Sequence, residues 1–134
     1  MIGTLVVTHG KLATELVNAA KMIVGELANM QAISIGWNDD VNEARERIRT
    51  SLKQIDHGHG VLILTDMFGG TPTNISLTFL EKGRTEIITG VNLPMLIKVA
   101  GTTETDLQAV AQKVRAQGQK SIYVASEVLA KQEG

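Results

Sequence analysis

Residues 61–74 read VLILTDMFGGTPTN, and this stretch indicates both the fold and the place to look for chemistry. Its first residues, Val61 to Leu64, are continuously apolar, which is typical of a parallel strand covered on both faces. Asp66 follows the strand, and two glycines lead into Thr71 and Pro72. These two residues are typical of a helix start, with Thr71 as the N-cap and Pro72 as the first helical residue. The stretch therefore predicts a strand, a glycine-rich loop and a helix.

On either side of this stretch, short segments rich in β-branched residues alternate with longer amphipathic segments. The other strand-like segments are Thr4 to Thr8, Ala32 to Ile35, Glu86 to Thr89 and Ser121 to Ala125. Apolar residues at helical spacing predict three long helices with these buried faces: Leu12, Leu16, Ala20, Ile23 and Leu27; Val41, Ala44, Ile48, Leu52 and Ile55; Leu107, Val110, Ala111 and Val114. Asn38 or Asp39 is expected to cap the second long helix, and Gly118 to end the last. Shorter helices are expected from Gly70 to near Gly83 and over 94–99.

Strand and helix in alternation predict one α/β domain over 1–134, an open and mostly parallel sheet with helices on both faces. The 134 residues carry 13 basic and 14 acidic side chains, a net charge of −1, which argues against nucleic-acid binding. No apolar run approaches the roughly 20 residues that span a bilayer, and the first residues lack a basic leader. Cysteine is absent, which excludes disulfides and thiolate metal sites. A cytoplasmic domain without membrane insertion is expected.

Two predicted strands end in residues suited to phosphoryl chemistry. The first strand ends in Thr8-His9-Gly10, and the third is followed by Asp66. If these strands are neighbours, His9 and Asp66 lie side by side at the carboxyl edge of the sheet, where α/β proteins place their chemistry. A carboxylate bonded to one imidazole nitrogen fixes the tautomer and stabilises the positive charge that develops when the other nitrogen attacks. The pair predicts a phosphoryl acceptor, His9, that is oriented by Asp66.

The glycine-rich loop supplies a way to hold the phosphoryl oxygens. Gly69 and Gly70 allow close approach of the backbone, and the free amides of the following helix start, with the Thr71 hydroxyl, form an anion site. The sequence has no phosphate-binding loop lysine and no cluster of acidic metal ligands near this loop. Nucleotide, magnesium, other metals and cofactors are therefore not implied.

Three blocks together carry a family resemblance: Thr8-His9-Gly10, the run from Thr65 to Asn74, and Gly90-Val91-Asn92-Leu93-Pro94-Met95. With these blocks in this order, the chain resembles the mannose-family EIIA domain of the bacterial phosphoenolpyruvate-dependent sugar phosphotransferase system (PTS). The likeness covers almost the whole chain.

The resemblance implies a phosphocarrier for sugar uptake. His9 would be phosphorylated, Asp66 would be its hydrogen-bonded partner, and the loop from Phe68 to Thr71 would be the phosphate cradle. The donor would be the carrier protein HPr, and the acceptor an EIIB protein on a separate chain. The family fold implies four parallel strands in the order 2-1-3-4 and an antiparallel last strand. Homodimers are usual, and some members exchange the last strand, which corresponds to Ser121 to Ala125 here.

Four further residues are candidates for partner binding. Trp37 follows the second strand, and tryptophan is a favoured interface anchor, although it could equally staple the start of the next helix. Leu93 and Met95 either offer apolar surface to a partner or belong to the core. Asn92 is expected to orient a neighbouring loop.

Other functions compete with the relay. Receiver domains phosphorylate an aspartate at the place of Asp66, but they need acidic residues after the first strand, where this chain has His9. A hydrolase is disfavoured because no serine or cysteine nucleophile accompanies the His–Asp pair. Two alternatives stay open: a regulatory module of an incomplete phosphotransferase system whose phosphorylation state controls a partner, and a phosphoryl donor subunit for a dihydroxyacetone kinase.

Overall fold

The computed structural model describes residues 1–133, so the last residue of the predicted domain, Gly134, lies outside the described residues. The strands are β1 (Gly3–His9), β2 (Met30–Ile35), β3 (Val61–Thr65) and β4 (Thr85–Ile88). The helices are α1 (Leu12–Val24), α2 (Val41–Ile55), α3 (Gly70–Leu77), α4 (Leu93–Ala100), α5 (Leu107–Lys120) and α6 (Ala125–Glu133). None of the helices in this part of the chain has the length and apolar character needed to cross a bilayer.

The four described strands form one parallel sheet in the order β2-β1-β3-β4. The open α/β fold and the 2-1-3-4 strand order are confirmed. Val7 of β1 is the register partner of Thr65 of β3, and His9 is the partner of Ile35 of β2. The carboxyl ends of these three strands therefore meet at one edge of the sheet, and the loops that follow them share that edge.

Helices cover both faces of the sheet. One apolar cluster joins the sheet to α1, α4 and α5, and the other joins it to α2 and α3. All four predicted apolar residues of α5 are buried, as are Ala44, Ile48 and Ile55 of α2. The face predicted for α1 is confirmed at Ala20 and wrong at its two ends, while Leu16 and Leu27 are partly buried against the core. The buried positions of α1 are Ala13, Val17 and Ala20, while Leu12 and Ile23 are exposed.

Four predicted helix boundaries are wrong. Asp40 rather than Asn38 or Asp39 caps α2, because its Oδ1 accepts from the N–H of Asn42 at 2.7 Å. Gly69 rather than Thr71 is the N-cap of α3, which begins at Gly70 and ends at Leu77, well before Gly83. Helix α5 continues through Gly118 to Lys120. The missing side chain of Gly118 leaves room for Met95 of α4 to pack against the helix.

The predicted last strand is wrong within the described residues. Residues 121–124 have no regular strand or helix, and Ala125 begins α6, a helix that the sequence reasoning missed. A strand needs a neighbour to accept and donate backbone hydrogen bonds. This segment instead leaves Ile122, Tyr123 and Val124 exposed by 77%, 70% and 60%. Residues 125–133, ASEVLAKQE, contain mostly good helix formers, which explains the helix.

Candidate functional site

His9 and Asp66 form the polar pair predicted at the sheet edge. Nδ1 of His9 lies 2.8 Å from Oδ2 of Asp66, and the same oxygen accepts the backbone N–H of His9 at 3.0 Å. The His9 side chain is 49% exposed and that of Asp66 is 15% exposed. One carboxylate oxygen thus fixes both the backbone and the ring of His9. It leaves Nε2 as the ring nitrogen that is not bonded to Asp66.

The carboxyl of Asp66 is held in its ionised form. Burial alone raises the pKa of Asp66, but hydrogen bonds from the backbone N–H and the ring of His9, and the charge of His9, outweigh it. The backbone N–H of Met67 adds a bond to Oδ1 at 3.1 Å. The net result is a pKa below the ordinary aspartate value, so Asp66 is an anion over the physiological range.

The turn from β1 into α1 is organised by Thr8. Its fully buried hydroxyl accepts the backbone N–H of Ala13 at 2.7 Å, and the N–H of Gly10 donates to the carbonyl of Ile35 at 2.8 Å. These bonds hold the strand end and the helix start on either side of His9. The sequence reasoning did not assign Thr8 a role. The available signal was a threonine directly after the apolar residues 5–7, because a buried hydroxyl requires a partner.

The glycine loop lies against the free edge of the His9 ring. Gly69 caps α3, and Gly70, the first residue of the helix, faces Cε1 and Nε2 of His9. Thr71 is exposed at the second position of α3, and Phe68 is exposed by 77% at the rim. The positive end of the α3 dipole therefore begins beside Nε2. Of the predicted cradle, Gly69, Gly70 and Thr71 lie at the helix start, and the ring of Phe68 points to solvent.

Two buried threonines support this loop. Oγ1 of Thr73 lies 2.5 Å from the carbonyl oxygen of Met67 and 2.8 Å from Oγ1 of Thr65. Because a hydroxyl carries one hydrogen, Thr73 donates to Met67 and accepts from Thr65. The carbonyl of Thr65 also accepts the N–H of Val91 at 2.9 Å, which joins the loop after β4 to the site. Sequence reasoning included Thr65 and Thr73 only as members of a motif.

The loop after β4 is structural in large part. Oδ1 of Asn92 accepts the N–H of Met95 at 3.2 Å and caps α4, while Nδ2 donates to the carbonyl of Gly118 at 3.1 Å. Met95 is buried, so of the two alternatives that the sequence left open for it, the core holds and the partner surface does not. Leu93 is half-buried and packs against the core. Asn92 ties α4 to α5 rather than presenting its amide to solvent.

Trp37 stands apart from the core at the same edge. It lies two residues beyond Ile35, the register partner of His9, and its side chain is 98% exposed. The hydrophobic staple considered from the sequence is therefore not formed. Trp37 is the one residue of the predicted partner set whose side chain is almost completely open to solvent.

This arrangement is suited to nucleophilic attack by an imidazole. A carboxylate holds Nδ1, so that nitrogen carries the proton and Nε2 keeps its lone pair. A helix start lies beside Nε2, where it favours an incoming anion. Half-exposure of the ring leaves room for a second protein to bring a reactive group to it.

Comparison with known proteins matches this chain to one family. The family model described as "EIIA-man: PTS system fructose IIA component" matches residues 3–115. The chain is 35% identical over 133 residues to the PTS system fructose-specific EIIA component of Bacillus subtilis, covering 98% of this chain and 91% of that protein. It is 32% identical over 127 residues to the PTS system mannose-specific EIIAB component of Escherichia coli. That match covers 90% of this chain and 39% of the larger relative.

A solved structure has the same architecture. The mannose/sorbose specific IIA subunit of the phosphotransferase system from Enterococcus faecalis superposes with a TM-score of 0.83 at 26% identity. The superposition covers 92% of this chain and 93% of that subunit.

Proposed function

Because this chain belongs to the EIIA-man family of phosphotransferase-system components, we propose that it is a phosphohistidine carrier charged on Nε2 of His9. Family membership gives the general role, a phosphotransferase relay protein of sugar uptake. The observation that carries the specific proposal is the 2.8 Å contact between Nδ1 of His9 and Oδ2 of Asp66, which directs the reactive lone pair to Nε2.

The charging step is an in-line exchange between two imidazoles. The lone pair of Nε2 attacks the phosphorus of a phosphohistidine on the donor, and a new N–P bond forms as the donor N–P bond breaks. The electron pair of the broken bond returns to the donor imidazole. The proton on Nδ1 of His9 stays in its bond to Asp66, whose negative charge stabilises the positive ring. Onward transfer reverses these steps toward the acceptor.

Backbone dipoles and amides neutralise the transferred group in this proposal. The first turn of α3, from Gly70, is the candidate cradle, because the first N–H groups of a helix lack partners within the helix. Lys11 supplies the one basic side chain in the loops 10–11, 36–40 and 66–69 that surround His9. An uncharged cradle of this kind binds a phosphoryl group without trapping it, which suits a relay.

Family membership supports the choice of phosphoryl donor and acceptor in this proposal. We propose HPr as the donor and an EIIB protein or domain as the acceptor, acting in turn on the same nitrogen. A cytoplasmic location is part of the proposal and is supported by family membership.

The test is intact mass after incubation with phosphoenolpyruvate, enzyme I and HPr. The wild-type chain is expected to gain one acid-labile phosphoryl group, and His9→Ala is expected to gain none. Loss of the mass gain in His57→Ala or His59→Ala instead would assign the chemistry to a different histidine. An uncharged wild type beside active upstream proteins would refute the relay.

We further propose that the chain forms a homodimer through the open edge of β4. A groove of about 570 Å³ runs along this edge, and it is lined by residues of α3, β4 and α5. Among the described strands, β4 pairs only with β3. Ile122 lines this groove in its own chain, and together with the exposed Tyr123 and Val124 it forms an apolar segment that would extend to the same groove of a second copy.

Sedimentation velocity tests the dimer. Tyr123→Asp places a charge in the proposed contact and is expected to shift a wild-type dimer toward monomer. Met22→Asp, at an exposed apolar position on α1, is the matched control and should sediment as the wild type does. A wild-type monomer at micromolar concentration, or equal weakening by both variants, would refute the contact.

A further inference from the structure

The most exposed large apolar side chain beside the His9 site is Trp37, at 98%. An indole ring is a large apolar surface, and leaving it in water forgoes the free energy that its burial would release. Nothing in the described fold uses the side chain for packing. The exposure of Trp37 therefore indicates a binding surface at this edge.

The backbone presents Trp37 in a fixed position. Gly36 donates its N–H to Oδ2 of Asp39 at 2.7 Å, and Asp39 donates its N–H to the carbonyl of Gly36 at 3.2 Å. Asp39 is also within 3.9 Å of Nη1 of Arg47 on α2. Trp37 thus lies at the tip of a closed turn rather than on a loose loop. A turn held in this way loses little backbone freedom when a partner covers the indole.

Trp37 shares this edge with other apolar side chains, as well as with the acidic residues of its own turn. Exposed apolar side chains also occur on the loops and helix starts at the same edge: Leu12, Val41, Met67 and Phe68. The three carboxylates of these loops already have intramolecular partners. Asp39 bonds Gly36, Asp40 caps α2 and Asp66 bonds His9. An apolar surface that docks at this edge would therefore meet several apolar side chains besides the indole.

We propose that Trp37 is the principal anchor for the protein that donates the phosphoryl group, and that it docks into an apolar surface beside the donor's phosphohistidine. This inference rests on the proposed function and deepens it. The donor must bring its phosphorus into contact with Nε2, on a ring that is 49% exposed at this edge. Trp37 follows the register partner of His9 by two residues, so a protein covering His9 from that side also covers the indole.

The test compares a protein donor with a small one. Rates of charging are measured with phosphorylated HPr and with phosphoramidate, which needs no protein interface. Trp37→Ala is expected to raise the KM for phosphorylated HPr by about 10-fold or more, as for an interface hot spot, and to leave phosphoramidate charging unchanged. Trp37→Phe, which keeps an aromatic ring, should recover most of the loss. Met22→Ala, at an exposed position far along α1, should match the wild type with both donors.

The outcomes separate this inference from the proposed function. A Trp37→Ala variant with wild-type KM for the protein donor overturns the anchor while the relay stands. Equal slowing with both donors also overturns it, because Trp37 would then act on the His9 site itself. Failure of phosphorylated HPr to charge wild-type His9 overturns the proposed function and the anchor together.

Discussion

The Cα of Gly70 faces the edge of the His9 ring so closely that a Cβ built there would lie 2.9 Å from Cε1 and 3.0 Å from Nε2. Gly70 also has a φ of +79°, a conformation that residues with side chains rarely adopt. The reactive nitrogen is therefore approached on one side by bare backbone. This closeness brings the helix start within reach of a group bound to Nε2, and it leaves no room for a methyl group.

Gly70→Ala is expected to slow charging of His9 by about 10²-fold or more, because the added methyl displaces either the ring or the helix start from the reacting geometry. The rate is measured by phosphoryl incorporation from phosphoramidate, which removes any effect on donor docking. Gly69→Ala is the matched control, since φ there is +89° but an added Cβ meets nothing within 4 Å. Both variants carry backbone strain, and only Gly70→Ala touches His9. Equal rates in the two would show that strain, not contact with the ring, is the cause.

Asp66→Asn is expected to lower the charging rate by about 10²–10³-fold. The amide keeps an oxygen for the bonds from His9 but loses the negative charge that stabilises the phosphorylated ring. It also loses one of the two oxygens that accept N–H groups in this site. The measurement is the single-turnover rate with phosphorylated HPr. A variant that charges at the wild-type rate, with its fold intact by circular dichroism, would contradict the assigned role of the carboxylate.

The lowered pKa of Asp66 predicts an acid-sensitive contribution to stability. The pKa is lower in the folded state than the ordinary value of about 4 in the unfolded chain. The contribution is therefore complete above about pH 4 and is lost as the pH falls through the folded pKa. As the pH falls below about 4, the difference in unfolding free energy between the wild type and Asp66→Asn should therefore shrink. Urea titrations from about pH 5 to pH 3 measure it, and a difference that grows on acidification would contradict the prediction.

Thr73→Val is expected to lower the free energy of unfolding by about 1–3 kcal/mol. The isosteric change removes the donor to the Met67 carbonyl and the acceptor for the Thr65 hydroxyl, and it leaves both partners buried without their bond. Thermal or urea unfolding measures the loss. Thr50→Val on the exposed face of α2 is the matched control and should be nearly neutral. A neutral Thr73→Val would mean that the loop does not depend on this hydroxyl.

Asn92→Ala is expected to destabilise the fold by about 1–2 kcal/mol through loss of the α4 cap. Asn92→Asp separates the two bonds, because a carboxylate still accepts from Met95 but cannot donate to the carbonyl of Gly118. The free energy of unfolding of Asn92→Asp, measured by urea titration, should lie between those of the alanine variant and the wild type. Neither variant is expected to alter the KM for phosphorylated HPr. A raised KM for phosphorylated HPr without loss of stability would indicate that Asn92 contacts a partner.

The strands followed from short-range sequence patterns, whereas the pairing of β1 with β3 that brings His9 to Asp66 stayed conditional on the residues alone and was implied by the family resemblance. An unbroken apolar run such as Val61 to Leu64 requires cover on both faces, and parallel strands bring their carboxyl ends together. The same reasoning located the glycine loop but assigned the cap of α3 to Thr71. Gly69, with a φ of +89°, ends the turn earlier than the residue types suggested.

The remaining errors concern contacts made across the fold. Gly118 has the composition of a helix end, yet it lies within α5 because Met95 packs against it from α4. For Met95 the sequence left partner surface and core as alternatives, and the contact with Gly118 belongs to the core alternative. The segment from Ser121 has the β-branched character of a strand, but it pairs with none of the described strands, and the edge of β4 stays open. Such long-range pairings are not encoded in the spacing of residues along the chain.

The chain contains a single tryptophan, and it is the exposed Trp37. Its intrinsic fluorescence therefore reports on one position at the edge beside His9, without background from other indoles. Loss of the core should leave the emission maximum nearly unchanged, because the ring already faces water in the folded state. Contact with another protein should shift the emission to shorter wavelength. The fold thus carries its own optical probe for docking, one that is nearly silent to unfolding.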